Sequence, residues 1–180
     1  MKQQSGMTLA ELLATLAVGT ILISMGIPSY QSLVLSNSQT AEVNELIAGL
    51  SLARSEAITK NTRVTLCTST NGTSCDATAD WSDGWLVYAD NNNDSNLNAG
   101  EPVIKSSGAA RKVTAKSAEF STFITYRPNG RAMANTPRDN TGQFTFCDKR
   151  GAGKAKTVVI EASGRPRASQ YTMDGGSPSC

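Results

Sequence analysis

The feature that most constrains this chain is an almost unbroken apolar run from Met7 to Ile27. As an α-helix rising ~1.5 Å per residue, a run of about 21 residues is long enough to cross the ~30 Å hydrocarbon core of a bilayer. The polar segment before it is short and carries one positive charge, at Lys2. A secretory signal typically has a longer charged region, a shorter apolar core and a cleavage site after that core. The sequence therefore predicts an apolar helix that stays with the mature protein.

One carboxylate interrupts the apolar run, at Glu11. An ionisable side chain inside a membrane segment costs about 2.5–3.5 kcal/mol on insertion scales, so Glu11 is a functional candidate by default. The alternative is simple tolerance near the membrane interface, because Glu11 lies only one turn inside the run.

The residues around Glu11 resemble the class III prepilin signal of type IV pilins and type II secretion pseudopilins. In that family a dedicated peptidase cuts after a glycine and methylates the new N-terminus. The resemblance implies a leader of residues 1–6, cleavage after Gly6, and a mature chain that begins with N-methyl-Met7. Met7 departs from the usual phenylalanine, although a large apolar side chain is kept, and Pro28 falls where pilins often have a helix-kinking proline. The matching stretch reads Gly6-Met7-Thr8-Leu9-Ala10-Glu11-Leu12-Leu13.

The same resemblance implies a role for Glu11 in assembly. Apolar helices bundle without water inside a filament, so a buried carboxylate there needs a cationic partner. The family supplies one in the free amine of Met7, on the same or a neighbouring subunit, and this pair would help to set axial register. The implied partners are other pilin subunits, the prepilin peptidase and the inner membrane. The globular domain is expected in the periplasm and later in an extracellular pilus.

The helix is predicted to span the membrane over residues 7–28 and to continue as an amphipathic helix over residues 29–61. Its apolar residues recur at three- and four-residue steps, a pattern that indicates one buried face. A membrane span and a separate soluble helix, joined by a polar linker at residues 35–40, are the alternative. The residues of the stripe are Val43, Leu46, Ile47, Leu50, Ala53, Ala57 and Ile58.

Residues 62–180 are predicted to form a β-rich domain, because short β-branched or aromatic segments alternate with turn-forming clusters. The fold class is α+β: a long N-terminal helix packed on one or two antiparallel sheets. Asn129-Gly130 is predicted to form a hairpin turn. The predicted strands are Arg63–Cys67, Gly84–Ala89, Pro102–Lys105, Arg111–Ala115, Thr122–Arg127, Gln143–Cys147 and Thr157–Glu161.

Four later motifs narrow the resemblance to the GspH/FimT family of minor pilins and pseudopilins, with FimT/FimU-like minor pilins foremost. One lies in the late helix, one at a strand entry, one in a turn, and one near the C-terminus. Together they extend the likeness over nearly the whole chain. The four stretches are Leu52-Ala53-Arg54-Ser55-Glu56-Ala57, Trp81-Ser82-Asp83-Gly84-Trp85-Leu86-Val87, Tyr126-Arg127-Pro128-Asn129-Gly130-Arg131 and Gly164-Arg165-Pro166-Arg167.

The composition speaks against an enzyme. The chain has no histidine, which excludes Ser-His-Asp, Cys-His and His-zinc sites. It also has no nucleotide-binding loop and no G-x-S-x-G elbow. Four cysteines in an exported domain of this size indicate two disulfides, and of the three possible pairings we expect Cys67–Cys75 and Cys147–Cys180.

Charge is distributed unevenly along the chain. Residues 1–100 carry 4 basic and 9 acidic residues, whereas residues 101–180 carry 13 basic and 6 acidic ones. A basic half favours an anionic partner such as nucleic acid, although a solvated basic face without a partner is the alternative.

The Gly164-Arg165-Pro166-Arg167 stretch makes the nucleic-acid hypothesis specific. Proline fixes φ, so the flanking arginines are predicted to sit on a stiff turn, and arginine forks suit phosphate oxygens. Family members with this element are associated with DNA capture in natural transformation. The resemblance implies that Arg165 and Arg167 contact double-stranded DNA without sequence specificity. A structural turn with solubilising charge is the alternative. The residues expected to extend the patch are Lys149, Arg150, Lys154 and Lys156.

Residues 90–101 form a partial calcium-loop motif. Oxygen side chains occupy the ligand positions of an EF-hand, with Asp90, Asn92, Asp94 and Glu101 as the candidate ligands. Ser95 stands where that motif requires glycine, so no cofactor is expected and calcium is only a secondary hypothesis beside a polar hairpin loop.

The sequence therefore leaves three candidate functions. The first is a minor pilin that binds DNA for uptake in natural transformation. The second is a structural minor pilin that primes or caps the pilus, and the third is a type II secretion pseudopilin. The Gly164-Arg165-Pro166-Arg167 stretch favours the first, and a chain for secretion alone would not need a basic C-terminal half.

Overall fold

The computed structural model describes residues 7–134 and 140–180. The predicted leader, including Gly6, lies outside the described residues. The chain divides into two compact units, Met1–Asn37 and Ser38–Cys180. One α-helix, α1 (Leu9–Lys60), contributes to both units and contains Pro28. Because α1 is continuous over residues 35–40, the alternative of two helices joined by a linker is wrong.

In the first unit, α1 exposes its apolar side chains. Leu9, Leu22 and Met25 are each two-thirds or more exposed. The hydroxyls of Thr15 and Thr20 donate to main-chain carbonyls one turn back, at 2.8 Å, so they need no water. The helix is long and apolar enough to cross a membrane, with a mean hydropathy of 1.9 over its most apolar stretch.

The second unit contains two antiparallel sheets. The first sheet has five strands in the order β3-β2-β1-β5-β6, and the second has four in the order β4-β7-β8-β9. Short 3₁₀ helices lie at Trp81–Asp83 and Ala152–Lys154. The strands are β1 (Arg63–Thr68), β2 (Trp85–Asp90), β3 (Val103–Ser107), β4 (Thr114–Lys116), β5 (Phe123–Tyr126), β6 (Ala132–Met133), β7 (Gly142–Cys147), β8 (Lys156–Ile160) and β9 (Pro166–Ser169).

The second half of α1 supplies the helical side of the main core. Its fully buried positions recur every three or four residues, as the sequence predicted, and they pack with apolar side chains from both sheets. Gly49 is required at one contact, because a Cβ there would lie 2.3 Å from the Trp85 ring. Ile58, assigned to the buried stripe from the sequence, is instead 45% exposed. The buried helix residues are Val43, Leu46, Leu50, Ala53 and Ala57.

Loops cover the outer faces of the sheets. On the first sheet, a small second core of Cys67, Leu86 and Tyr88 is covered by Leu97 and Cys75 from two loops. On the second sheet, the C-terminal tail (residues 170–180) crosses the strands: the Thr157 hydroxyl donates to the Tyr171 carbonyl at 2.7 Å.

Each disulfide attaches one of these covering segments to a strand. Cys67 is bonded to Cys75, and Cys147 to Cys180, the two pairs expected from the sequence. The first closes a loop of 8 residues on β1, and the second closes one of 33 residues and ties the C-terminal tail to β7.

The strand predictions agree with the structure at seven of the nine strands, within a few residues at each end. The two missed strands are β6 and β9. The prediction of a stiff turn is therefore wrong for Pro166 and Arg167, which are the first two residues of β9. Because β9 is an edge strand and Pro166 is its first residue, the missing proline N–H breaks no ladder bond.

Candidate nucleic-acid interface

Two turns from different sheets meet at one end of the second unit. The Gly130 turn (residues 127–131) joins β5 to β6, and the Gly164 turn (residues 161–165) joins β8 to β9. The Gly130 N–H donates to the Arg127 carbonyl at 2.8 Å, which confirms the predicted hairpin turn. The Gly164 N–H donates to the Glu161 carbonyl, also at 2.8 Å, so both turns are closed by their own backbone.

The two turns touch through their backbones. Gly164 is buried with a φ of +73°, and a Cβ at this position would lie 2.1 Å from the Gly130 carbonyl oxygen and 3.2 Å from the Arg131 Cα. Only glycine allows this approach. The contact brings the Arg131 backbone next to Gly164, the residue that precedes Arg165 in the chain.

Arg54 of α1 joins the two turns from the helix side. Its Nε donates to the Gly130 carbonyl at 3.0 Å, and its Nη2 donates to the Ser163 carbonyl at 3.5 Å. One guanidinium therefore holds a carbonyl from each turn. Three of the four stretches that carry the family resemblance, distant in sequence, converge here.

The arginine side chains at this junction differ in whether they already have a hydrogen-bond or ion-pair partner. The side chains of Arg131 and Arg165 are exposed, and within the part of the chain that the structure describes neither has a hydrogen bond or ion pair. Arg167 lies on β9, and its Nε donates to Glu161 Oε1 at 2.8 Å. Because Arg167 is half exposed, its two terminal nitrogens remain open to a ligand.

The basic residues that were expected to extend this patch lie elsewhere. Lys149, Arg150 and Lys154 belong to the Asp148 turn (residues 148–155), which joins β7 to β8 at the end opposite the Gly164 turn. Strand β8 spans five residues, so its ends are about 13 Å apart at ~3.3 Å per residue. The expectation of one continuous patch is therefore wrong, because the hairpin sends these residues to the other end of the strand.

Two of these basic side chains also have structural partners. Arg150 forms an ion pair with Asp148 at 2.5 Å, and its side chain is only 16% exposed while that of Asp148 is fully buried. This pairing holds the pKa of Asp148 below its ordinary value. Lys156 Nζ donates to Thr40 Oγ1 of α1 at 2.7 Å.

In the partial calcium loop, the carboxylates bind the loop itself. Asp90 accepts the backbone N–H groups of Asp94 and Ser95 at 3.1 Å each, and Glu101 accepts two further N–H groups of the loop. The Asn96 N–H and the Asn98 side-chain amide each donate to Asp94 at 2.8 Å, and Asn92 donates to it at 2.9 Å; these bonds hold the pKa of Asp94 below its ordinary value. Ser95 adopts the left-handed φ of +61° at the position where an EF-hand has glycine. In the described ranges no group of three or more acidic or cysteine residues could hold a metal, and calcium binding stays a prediction.

The predicted assembly residues lie at the start of α1. Met7 and Glu11 are both exposed, and the Thr8 hydroxyl accepts the Glu11 N–H at 3.3 Å, which caps the helix.

The sequence interpretation assigned no role to Arg54 or Arg131, although both stand in stretches that carried the resemblance. An arginine at a turn or in a helix is common, so the residues alone gave no reason to group them. Only the contact between Gly130 and Gly164 brings them to Arg165.

Comparison with known proteins gives matches over both parts of the chain. Residues 42–164 match the family model described as type II transport protein GspH, and residues 1–27 match the prokaryotic N-terminal methylation motif. No curated protein matches the chain significantly.

Two crystal structures of the type IV minor pilin FimU from Pseudomonas aeruginosa strain PAO1 are similar in fold. The form in space group P21 has a TM-score of 0.57 at 20% identity, and the similarity covers 80% of this chain and 96% of that one. The form in space group P65 has a TM-score of 0.56 at 19% identity, covering 78% and 98%.

Proposed function

Because the chain belongs to the GspH family and carries the N-terminal methylation motif, we propose that it is a minor type IV pilin that binds DNA non-specifically for uptake in natural transformation. The family is structural rather than enzymatic, and its fold is the type IV pilin fold, a long N-terminal helix with antiparallel sheets. Membership makes the chain a pilin-like subunit of a type IV pilus or a type II secretion system. It also implies processing by a prepilin peptidase and assembly with other pilin subunits.

The assignment of DNA binding rests on one observation: exposed arginines are carried on two turns that are locked together. Arg165 and Arg131 have no acidic partner within the described residues. The two terminal guanidinium nitrogens of Arg167 remain open to a ligand. A guanidinium donates two parallel hydrogen bonds to phosphate oxygens, and a rigid support reduces the side-chain entropy lost on binding. Contacts of this kind read the phosphate backbone rather than the bases, so the expected binding is independent of sequence.

A titration of the full-length protein in uncharged detergent tests this proposal. Double-stranded DNA is titrated at about 50 and 200 mM salt, and affinity is expected to fall steeply between them because bound phosphates release counterions. The double variant Arg165→Ala, Arg167→Ala is expected to lose at least tenfold in affinity. The matched control is Lys149→Ala, Lys154→Ala, which removes the same charge from the exposed side of the Asp148 turn.

Two outcomes would contradict the proposal. If the parent protein has no affinity for DNA at the lower salt concentration, DNA binding is wrong. If the control lowers affinity as much as the arginine variant, net charge rather than the Gly164 turn determines binding.

The second candidate is a type II secretion pseudopilin in protein export, and the description of the matching family model favours it. In a type IV pilus, the corresponding structural role is that of a minor pilin that primes the pilus. Deleting the gene and measuring pilus assembly, DNA uptake and protein secretion in the same strain separates these functions. Loss of secretion with normal DNA uptake would replace the proposal by the second candidate.

For the membrane part, we propose that the globular unit faces the periplasm and that Glu11 pairs with the Met7 amine of the same or a neighbouring subunit in the filament. A carboxylate within an apolar helix bundle is costly unless it is paired. Glu11→Ala is expected to leave the second unit folded and to reduce incorporation into filaments, measured by immunoblotting of sheared pili. Glu11→Asp is the matched control, because it keeps the charge, and normal incorporation of Glu11→Ala would refute the role.

A further inference from the structure

We propose that Arg131 is a third phosphate-binding residue of this interface and that Arg54 is the positioning residue that holds Arg131 and Arg165 side by side. The inference rests on the proposed DNA binding and extends it to residues of the helix and of the other sheet. Arg131 would contact DNA, whereas Arg54 would act through the two turns.

The backbone of Arg131 is fixed on both sides. Its N–H donates to the Asn129 side chain at 3.1 Å, and its carbonyl accepts the Arg127 N–H at 3.0 Å. The neighbouring Gly164 packs against its Cα. The side chain is nevertheless exposed, so a fixed backbone presents the guanidinium to solvent. Arg165 is presented in the same way from the adjoining turn, and two such groups suit neighbouring phosphates of one backbone.

Arg54 differs from these two residues in its surroundings. Its side chain is partly buried, and its guanidinium already donates to the carbonyls of Gly130 and Ser163. These bonds orient the guanidinium toward the backbone of the two turns. The planar guanidinium presents Nε and Nη2 to two different carbonyls, and the compact ammonium group of lysine does not have this geometry.

The charge balance of the junction fits an anionic ligand. Arg54, Arg131 and Arg165 have no carboxylate partner within the described residues, and the acidic residue of the Gly164 turn, Glu161, is paired with Arg167. Here the turns are held by carbonyls and glycine packing, which leaves the positive charges of Arg131 and Arg165 for a ligand.

The salt dependence of DNA binding separates the two roles, measured on the full-length protein in uncharged detergent. Each phosphate contact contributes about 0.9 to the slope of log affinity against log salt. Arg131→Ala is expected to weaken binding about tenfold at low salt and to reduce the slope by about 0.9. Arg131→Lys keeps a point charge and should retain most of the slope. The matched control, Lys154→Ala, is expected to change neither quantity.

The positioning role predicts a different signature for Arg54. Arg54→Lys should weaken binding about threefold to tenfold while the salt slope stays close to that of the parent, because the number of phosphate contacts is unchanged. Circular dichroism and thermal melting check that the variant is folded, and Arg54→Gln gives a second measurement if Arg54→Lys is unstable. A slope reduced as much as in Arg131→Ala would make Arg54 a direct contact and overturn the positioning role.

The failure of this inference can be distinguished from failure of the proposed function. If Arg165→Ala weakens binding but Arg131→Ala behaves like Lys154→Ala, DNA binding stands and the assignment of Arg131 is wrong. If the Arg165, Arg131 and Lys154 variants all bind DNA like the parent, the proposed interface itself is wrong.

Discussion

The turns at the two ends of β8 contain the same kinds of residue but use them differently. In the Asp148 turn, the Arg150 side chain is almost buried and is paired with a fully buried carboxylate. In the Gly164 turn, Arg165 is exposed with no partner among the described residues, and the turn is held by glycine packing and by Arg54. In the first turn an arginine stabilises the fold, whereas in the second the fold leaves Arg165 exposed.

This difference shows that a count of basic residues does not tell which guanidinium groups stay exposed. The Asp148 turn has the larger number of basic residues, Lys149, Arg150 and Lys154, and it was expected to extend the patch of the Gly164 turn. What distinguishes them is whether a carboxylate lies within reach of each guanidinium and whether the backbone is held by other means.

The largest effect is expected from Gly164→Ala. The added Cβ would lie 2.1 Å from the Gly130 carbonyl oxygen, in a residue with φ of +73°. We expect a loss of about 3 kcal/mol in unfolding free energy, from left-handed strain and steric overlap together, and weaker DNA binding because the turns separate. Denaturant unfolding and a DNA titration measure both effects.

The control for this prediction is Gly175→Ala in the C-terminal tail. Gly175 has a similar φ of +81° but nothing within 4 Å of a new Cβ, so it should cost only about 1 kcal/mol of strain. Equal losses in the two variants would mean that the contact between the turns contributes nothing.

Asp148→Asn should affect the opposite turn and leave DNA binding unchanged. Removing the carboxylate charge takes the Asp148 ion pair away from the largely buried Arg150, which should cost about 2 kcal/mol of unfolding free energy. A fall in DNA affinity at unchanged folding would show that the Asp148 turn belongs to the interface after all.

The same ion pair predicts a dependence of stability on pH. The pKa of Asp148 is lowered in the folded state, so its contribution is present above the unfolded-state value of ~3.9. That contribution is lost as the pH falls through the lower folded-state value. Below pH ~4 the stability of the parent should therefore fall toward that of Asp148→Asn. A difference between them that persists undiminished at the lowest pH would contradict this account.

The smallest effect is expected from Glu161→Gln. It removes the acidic partner of Arg167 from the exposed ion pair, so DNA affinity should rise about threefold at low salt while stability changes by less than about 1 kcal/mol. Asp174→Asn makes the same change in net charge on an exposed residue of the C-terminal tail and serves as the control. If both variants gain equally, the gain reflects net charge alone.

Local patterns predicted most of the architecture. The three- and four-residue repeat of Val43, Leu46 and Leu50 gave the buried face of α1, because helical geometry alone places such residues on one side. Strands β6 and β9 were missed for a physical reason. The first has only two residues, and the second begins with proline and contains two charged or polar side chains, so neither shows a strand-like pattern.

Only half of the candidate interface was predictable. Arg165 and Arg167 were proposed from the sequence because they flank a proline in a short motif. Arg131 and Arg54 were not, because their relation to Arg165 depends on two sheets and a helix meeting. The separation of Lys149 and Lys154 from the Gly164 turn depends on the same long-range geometry.

By itself, the sequence determined that the chain has an apolar N-terminal helix, a leader motif and a β-rich second part, since these follow from local hydrophobic periodicity and short motifs. The tertiary structure alone decided which arginines form one surface. That decision came from the approach of Gly164 to the Gly130 carbonyl, which requires glycine at position 164 because a Cβ there would lie 2.1 Å from that oxygen.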